Sequence, residues 1–83
     1  MTQPNIIVYG ADWCGDCRRS KHFLNEQNIP FTWIDIDQDK EAEALVREKN
    51  DGKRIIPTIL FEDGSFLVEP SDEELANKLG LLV

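Results

Sequence analysis

Eighty-three residues with a net charge of −7 and two cysteines have room for one hydrophobic core, so a single domain over residues 1–83 is expected. The acidity excludes the basic face that non-specific nucleic-acid binding needs, no run approaches the roughly 18 apolar residues of a membrane span, and two cysteines cannot build a disulfide framework. Met1-Thr2-Gln3-Pro4 lacks the cationic flank of a secretory signal, so a cytoplasmic protein is expected, in a compartment where a Cys pair serves catalysis or metal binding more often than structure.

In chain order, Ile6-Ile7-Val8-Tyr9 is an uninterrupted apolar run that predicts a first strand buried on both faces. Gly10-Ala11-Asp12-Trp13 turns the chain into a helix from Cys14 to Gln27. On it Cys17, Ser20, Phe23, Leu24 and Gln27 share one side, leaving Arg18, Arg19, Lys21 and Glu26 to face water. Asn28-Ile29-Pro30 ends this helix, because proline disfavours helical geometry at the residue before it. Phe31 to Asp37 alternates with period two and predicts a second, half-buried strand toward a sheet edge. Asp37 or Asp39 caps a second helix with Ala42, Leu45 and Val46 on one face, stopped before the turn signal Asn50-Asp51-Gly52.

Ile55 to Phe61 is strand-like apart from Pro57, and Glu62-Asp63-Gly64-Ser65 turns it back into Phe66-Leu67-Val68-Glu69 as a tight hairpin. Ser71-Asp72-Glu73-Glu74 matches a capping box opening a last helix with Leu75 and Leu79, and Gly80 is its stop. The order β-α-β-α-β-β-α defines an α/β domain. Its strand–helix–strand start asks for a parallel pair, and its Asp-Gly hairpin for an antiparallel one. A mixed four-stranded sheet in the order 2-1-3-4, with three helices over its faces, satisfies both.

The chemistry concentrates in Cys14-Gly15-Asp16-Cys17, a Cys-x-x-Cys step between the first strand and the first helix. Orphan N–H groups and the dipole of a helix N-terminus stabilise a thiolate, the species that attacks disulfides. The placement therefore predicts a reactive first cysteine at the helix mouth and a resolving partner, Cys17, on the inward face one turn along. Asp12 and Asp16 oppose this by putting negative charge beside Cys14, while Arg18 adds positive potential. On residues alone the pair also reads as two ordinary buried cysteines or as zinc ligands. Zinc asks for four ligands, however, and His22, the nearest third group, reads more simply as a solvated helix residue.

Pro57 within its apolar run marks an edge or a bulge. Trp13 is either a platform beside the cysteine or plain packing, and Lys53-Arg54 is either a solvated pair or an anion contact. With Arg18, Arg19, Lys21 and His22, that pair predicts a cationic rim on an acidic body, suited to an anionic small thiol.

Trp13-Cys14-Gly15-Asp16-Cys17, Ile56-Pro57-Thr58 and the element order resemble the glutaredoxin branch of the thioredoxin superfamily over nearly the whole chain. Within that branch the chain looks most like the short actinobacterial proteins called mycoredoxins. The resemblance implies a thioredoxin-like fold and a thiol–disulfide oxidoreductase that binds no cofactor or metal and uses a low-molecular-weight thiol, mycothiol or glutathione, as co-substrate. It implies Cys14 as nucleophile, Cys17 as resolving thiol, and Pro57 as a cis-proline that exposes the Ile56 backbone to a thiol substrate. Arg54 would contact the small thiol's carboxylate, Gly15 would leave space beside Cys14, and Trp13 and Asp16 would flank the substrate, Asp16 in place of an aromatic residue common there.

The paired glycines and aspartate that hold glutathione in such proteins are replaced by Val68-Glu69-Pro70-Ser71-Asp72, which leaves Ser71, Asp72 and the last helix's amides for that task. The partners implied are the small thiol, thiol-modified or disulfide-bonded proteins, and a flavin reductase as one electron source, with the chain itself a monomer. Two rival functions remain on this resemblance. One is a dithiol protein-disulfide reductase fed by a flavin thioredoxin reductase. The other is an iron–sulfur carrier holding a cluster between two copies, against which the second cysteine counts.

Overall fold

In the computed structural model, which describes residues 5–81, the apolar runs become β1 Ile7–Gly10, α1 Gly15–Glu26, β2 Thr32–Asp35, α2 Lys40–Lys49, β3 Thr58–Leu60, β4 Phe66–Val68 and α3 Asp72–Leu79. The reading of Met1-Thr2-Gln3-Pro4 lies outside the described residues. The strand order is β2-β1-β3-β4, as expected from the turns. β1 runs parallel to β2 and antiparallel to β3, and β3 runs antiparallel to β4. Val8 stands opposite both Trp33 and Ile59, and Ile59 opposite Leu67. Since side chains alternate across a strand, these four share one sheet face, while Ile7, Tyr9, Ile34 and Leu60 share the other.

Phe23 and Leu24 of α1 and Leu75 and Ala76 of α3 close over the first face, with Ile6 and Phe61 at its margins. Ala42 and Val46 of α2 close over the second, with Ile36 and Ile56. Val8, Leu24, Val46, Ile59 and Leu75 are fully sealed, and each such side chain stabilises the fold by about 1.5–3 kcal/mol before entropy is counted. Among the described residues no helix is long and apolar enough to cross a membrane.

The ends of the elements show where local chemistry overrides pattern. Gln27 does not join the buried stripe of α1. It is the exposed C-cap, and the chain has left the helix by Asn28 at φ 57. Asp39, not Asp37, caps α2 by accepting the Ala42 N–H at 3.0 Å. Asp37 is too early, because the Asp35 carboxylate takes its N–H at 2.9 Å and ends β2 in a turn.

The strands are shorter than their apolar runs. β3 begins only at Thr58, since Pro57 has no N–H for the ladder, and the Thr58 hydroxyl bonds the Ile55 carbonyl at 2.8 Å instead. β4 stops at Val68, before Glu69 turns left-handed at φ 47. At α3 the capping box forms in both directions, with the Glu74 N–H on Ser71 Oγ at 3.1 Å and the Ser71 N–H on Glu74 Oε1 at 3.0 Å. Gly80 closes that helix at φ 71.

Candidate redox site

β1 delivers the chain to the site through Gly10 and the buried Ala11. The Cys14 N–H donates to the Ala11 carbonyl at 3.1 Å, closing a turn that leaves Cys14 at the N-cap of α1. An N-cap side chain usually offers an oxygen to the first-turn amides. Here the sulfur takes that part, and Cys14 Sγ accepts the Cys17 N–H at 3.3 Å. Both cysteines are free thiols, but their surroundings differ: Cys14 is partly exposed and Cys17 is sealed. Burial first, and then its hydrogen bond with Cys14, push the Cys17 thiol up to about 12, while the Ala11 backbone and the charge of Lys21 act in the opposite sense. One sulfur is partly exposed at a helix mouth and the other is a sealed, protonated thiol one turn along.

Gly10 makes room for the Cys17 sulfur. A Cβ at this position would fall on Cys17 Sγ and lie 2.9 Å from two carbons of the Trp33 ring. At Gly15, by contrast, a Cβ would meet nothing within 4 Å apart from its chain neighbours. Ile56 packs in the same apolar cluster as Cys17 and Cys14, and the Ile56–Pro57 peptide is cis. The Pro57 carbonyl accepts the Glu69 N–H at 2.9 Å. Asn50 ties the end of α2 to the same turn by donating to Thr58 Oγ1 at 3.1 Å and to the Val46 carbonyl at 2.7 Å.

Trp13 is 64 % exposed, yet its indole N–H donates to Asp37 Oδ2 at 2.8 Å. The other Asp37 oxygen pairs with Arg54, whose Nε donates to Glu43 Oε2 at 2.8 Å. That guanidinium holds the Glu43 carboxyl below the usual range. Arg54 is therefore shared between two carboxylates, Asp37 and Glu43.

Arg19 forms a second bridge. It pairs with Asp16 at 3.1 Å, stands 3.9 Å from Asp72 and donates to the Pro70 carbonyl at 3.3 Å. The motif and the Pro70-Ser71-Asp72 segment are joined by this one side chain, while Ser71 turns into its own capping box.

Arg18 donates to the Asp12 carbonyl at 2.9 Å, His22 meets Glu26 at 3.2 Å, and the Lys21 ammonium lies 3.6 Å over the Trp33 ring. Much of the expected cationic rim is thus engaged internally. Gly10, Arg19, Lys21, Trp33 and Asp37 shape the site in ways the sequence did not announce, since their partners are set by tertiary contact. The one local signal was Gly10, breaking an apolar run just before the Cys pair. Among the described residues no three His, Cys, Asp or Glu side chains gather to hold a metal ion.

A mixed sheet in the order β2-β1-β3-β4 with a Cys-x-x-Cys pair at the mouth of its first helix defines a thiol–disulfide oxidoreductase of the thioredoxin-like fold. The chain belongs to the glutaredoxin family, whose family model, described as Glutaredoxin, matches residues 6–67. It is 38% identical over 78 residues to Mycoredoxin 1 of Corynebacterium glutamicum, a match covering 94% of this chain and 96% of that protein. Among solved structures, the thioredoxin-like protein BC3987 is similar at a TM-score of 0.75 and 26% identity, over 87% of this chain and 96% of that one. The glutaredoxin of Archaeoglobus fulgidus shares the fold at a TM-score of 0.72 and 22% identity, over 89% of this chain and 84% of that one. Proteins of this family exchange disulfides with low-molecular-weight thiols and disulfide-bonded proteins.

Proposed function

We propose that the protein reduces mixed disulfides between proteins and a small thiol, with Cys14 as the attacking sulfur and Cys17 as the resolving one. The observation that carries this is the asymmetry of the pair: an accessible sulfur capping α1 above a sealed thiol held up at about 12. The Cys14 thiolate attacks the mixed disulfide, the S–S bond breaks, and the reduced protein leaves as a thiolate that takes a proton from water. The small thiol stays on Cys14. Either Cys17 or a second small thiol then attacks and releases it, leaving the Cys14–Cys17 disulfide in the first case and the small thiol's own disulfide in the second.

In this reading the Ile56 backbone beside Pro57 aligns the substrate chain as an added strand would. Trp13, steadied by Asp37, forms a wall, and Gly15 leaves room for the incoming sulfur. Asp16, Ser71 and Asp72 border the side that Arg19 closes. Mycothiol is favoured over glutathione as the reductant. The likeness to Mycoredoxin 1 supports it, as does the start of α3, where Pro70 supplies no N–H and Ser71 and Glu74 already satisfy each other. The protein works in the cytoplasm as a monomer without a bound cofactor.

A second reading, a dithiol protein-disulfide reductase fed by a flavin reductase, draws support from the placement of Cys17 directly under Cys14. Turnover measured side by side with mycothiol, glutathione and a thioredoxin reductase separates the two. Cys14→Ser is expected to abolish activity in every assay, whereas Cys17→Ser keeps a substantial part of the small-thiol activity. Full activity in Cys14→Ser refutes the assignment, and a dead Cys17→Ser shifts it to the dithiol reading.

A further inference from the structure

Lys21 has no part in the exchange just described, yet it turns toward the sheet where its charged neighbours do not. Arg18 is on the Asp12 carbonyl, Arg19 spans Asp16 and Asp72, and His22 meets Glu26. Lys21 instead lays its ammonium 3.6 Å over the face of Trp33. It follows Cys17 by four residues, so the two share a face of α1 one turn apart.

Trp33 joins them. It is fixed by its pairing with Val8 and packs against both apolar clusters. Its ring edge bounds the same space over Gly10 that Cys17 Sγ fills. The indole therefore borders the seat of the sealed thiol and also holds a cation at its own face. The charge of Lys21 acts on Cys17 against the effect of burial.

We propose that Lys21, seated on Trp33, is a positioning residue that stabilises the negative charge Cys17 acquires when it resolves the mixed disulfide on Cys14. This rests on the reading of Cys17 as the resolving thiol. In that step the Cys17 proton passes to water, and the sulfur's electron pair forms the bond to Cys14 Sγ. The bond from Cys14 to the bound thiol breaks, releasing that thiol as a thiolate. The cysteine pair is oxidised and the bound thiol reduced. Charge develops in a sealed place, where a fixed cation acts more strongly than it would in water.

Stopped-flow reaction of the fully reduced protein with dithiobis(nitrobenzoate) reads the two sulfurs separately. Attack by Cys14 releases the first nitrothiobenzoate, and resolution by Cys17 releases the second. Lys21→Met is expected to leave the first phase within about twofold of wild type and to slow the second by about threefold to tenfold. Lys21→Arg, which keeps the charge and can stack on the indole, is expected to restore most of that loss. An unchanged second phase in Lys21→Met overturns the inference, as does equal slowing by Met and Arg, the mark of a packing effect. A wild-type protein that releases one equivalent of nitrothiobenzoate and no second overturns the resolving role of Cys17 and the inference with it. A wild-type protein with no first phase removes the assignment of Cys14, a failure visible before Lys21 is touched.

Discussion

At the scale of single residues, two glycines near the cysteines are present for opposite reasons. Gly10 is required because Cys17 Sγ and the Trp33 ring occupy the place of its missing Cβ, whereas Gly15 faces open space. Both neighbours of Gly10 are held by the core, so neither can swing aside as a surface side chain would. Gly10→Ala is therefore expected to cost about 1–3 kcal/mol, the range for overpacking a filled interior. Gly15→Ala, inside the first turn of α1 and without obstruction, should gain up to about 0.5–1 kcal/mol from lower chain entropy. Urea unfolding of the reduced proteins checks both, and a Gly10→Ala protein as stable as wild type would show that the sulfur and the indole give way. The cysteines themselves were legible because their spacing and position after a strand are local facts. In the sequence Gly10 reads as a turn, since nothing there says which side chain will lie on top of it.

At the scale of elements, what could be read ahead was whatever the chain decides within a few residues. The capping box of Ser71 and Glu74, the stop at Gly80 and the hairpin at Asp63-Gly64 all close locally, and all form. What could not be read was the stitching between elements. Asp37 looked like one of two helix caps, yet it lies in the β2–α2 connection and ties Trp13, just ahead of α1, to Arg54, just ahead of the Pro57 turn. Exposed ion pairs of this kind contribute about 0–1 kcal/mol, so the consequence of the link is orientation rather than stability. Asp37→Ala should lower stability by less than about 1 kcal/mol while freeing the indole. Trp13 would then rotate faster, detected as lower fluorescence anisotropy in a Trp33→Phe background. The Michaelis constant for protein substrates should rise severalfold with little change for a small disulfide. Unchanged anisotropy would mean that Trp13 is held by something other than Asp37.

At the scale of the whole molecule, the sealed thiol makes stability depend on pH in a way that separates it from ordinary surface charge. Burial, followed by the hydrogen bond with Cys14, keeps the Cys17 proton on until about 12, whereas a thiol in the unfolded chain ionises near about 8.5. Between those values the unfolded chain has lost a proton that the folded chain keeps. Stability must therefore fall as pH rises, by at most about 1.4 kcal/mol per pH unit for one group. Tyr9, raised by burial and then by Asp39, acts in the same sense above about 10.

On the acid side the signs reverse. Glu43 is lowered by Arg54, and Asp63 is brought to about 2 by Ser65 and then Lys78. Their contributions are present at neutral pH and are lost as pH falls below the usual carboxylate range. Both carboxylates lie at the surface, so this limb is shallow. Phosphine-reduced wild type is thus expected to show a plateau around neutrality and a decline starting near about pH 8.5. In Cys17→Ala the decline between about 8.5 and 10 should flatten, leaving the later fall that belongs to Tyr9. Parallel curves would mean that Cys17 ionises as freely folded as unfolded, and a thiol that does so is not held in reserve beneath Cys14.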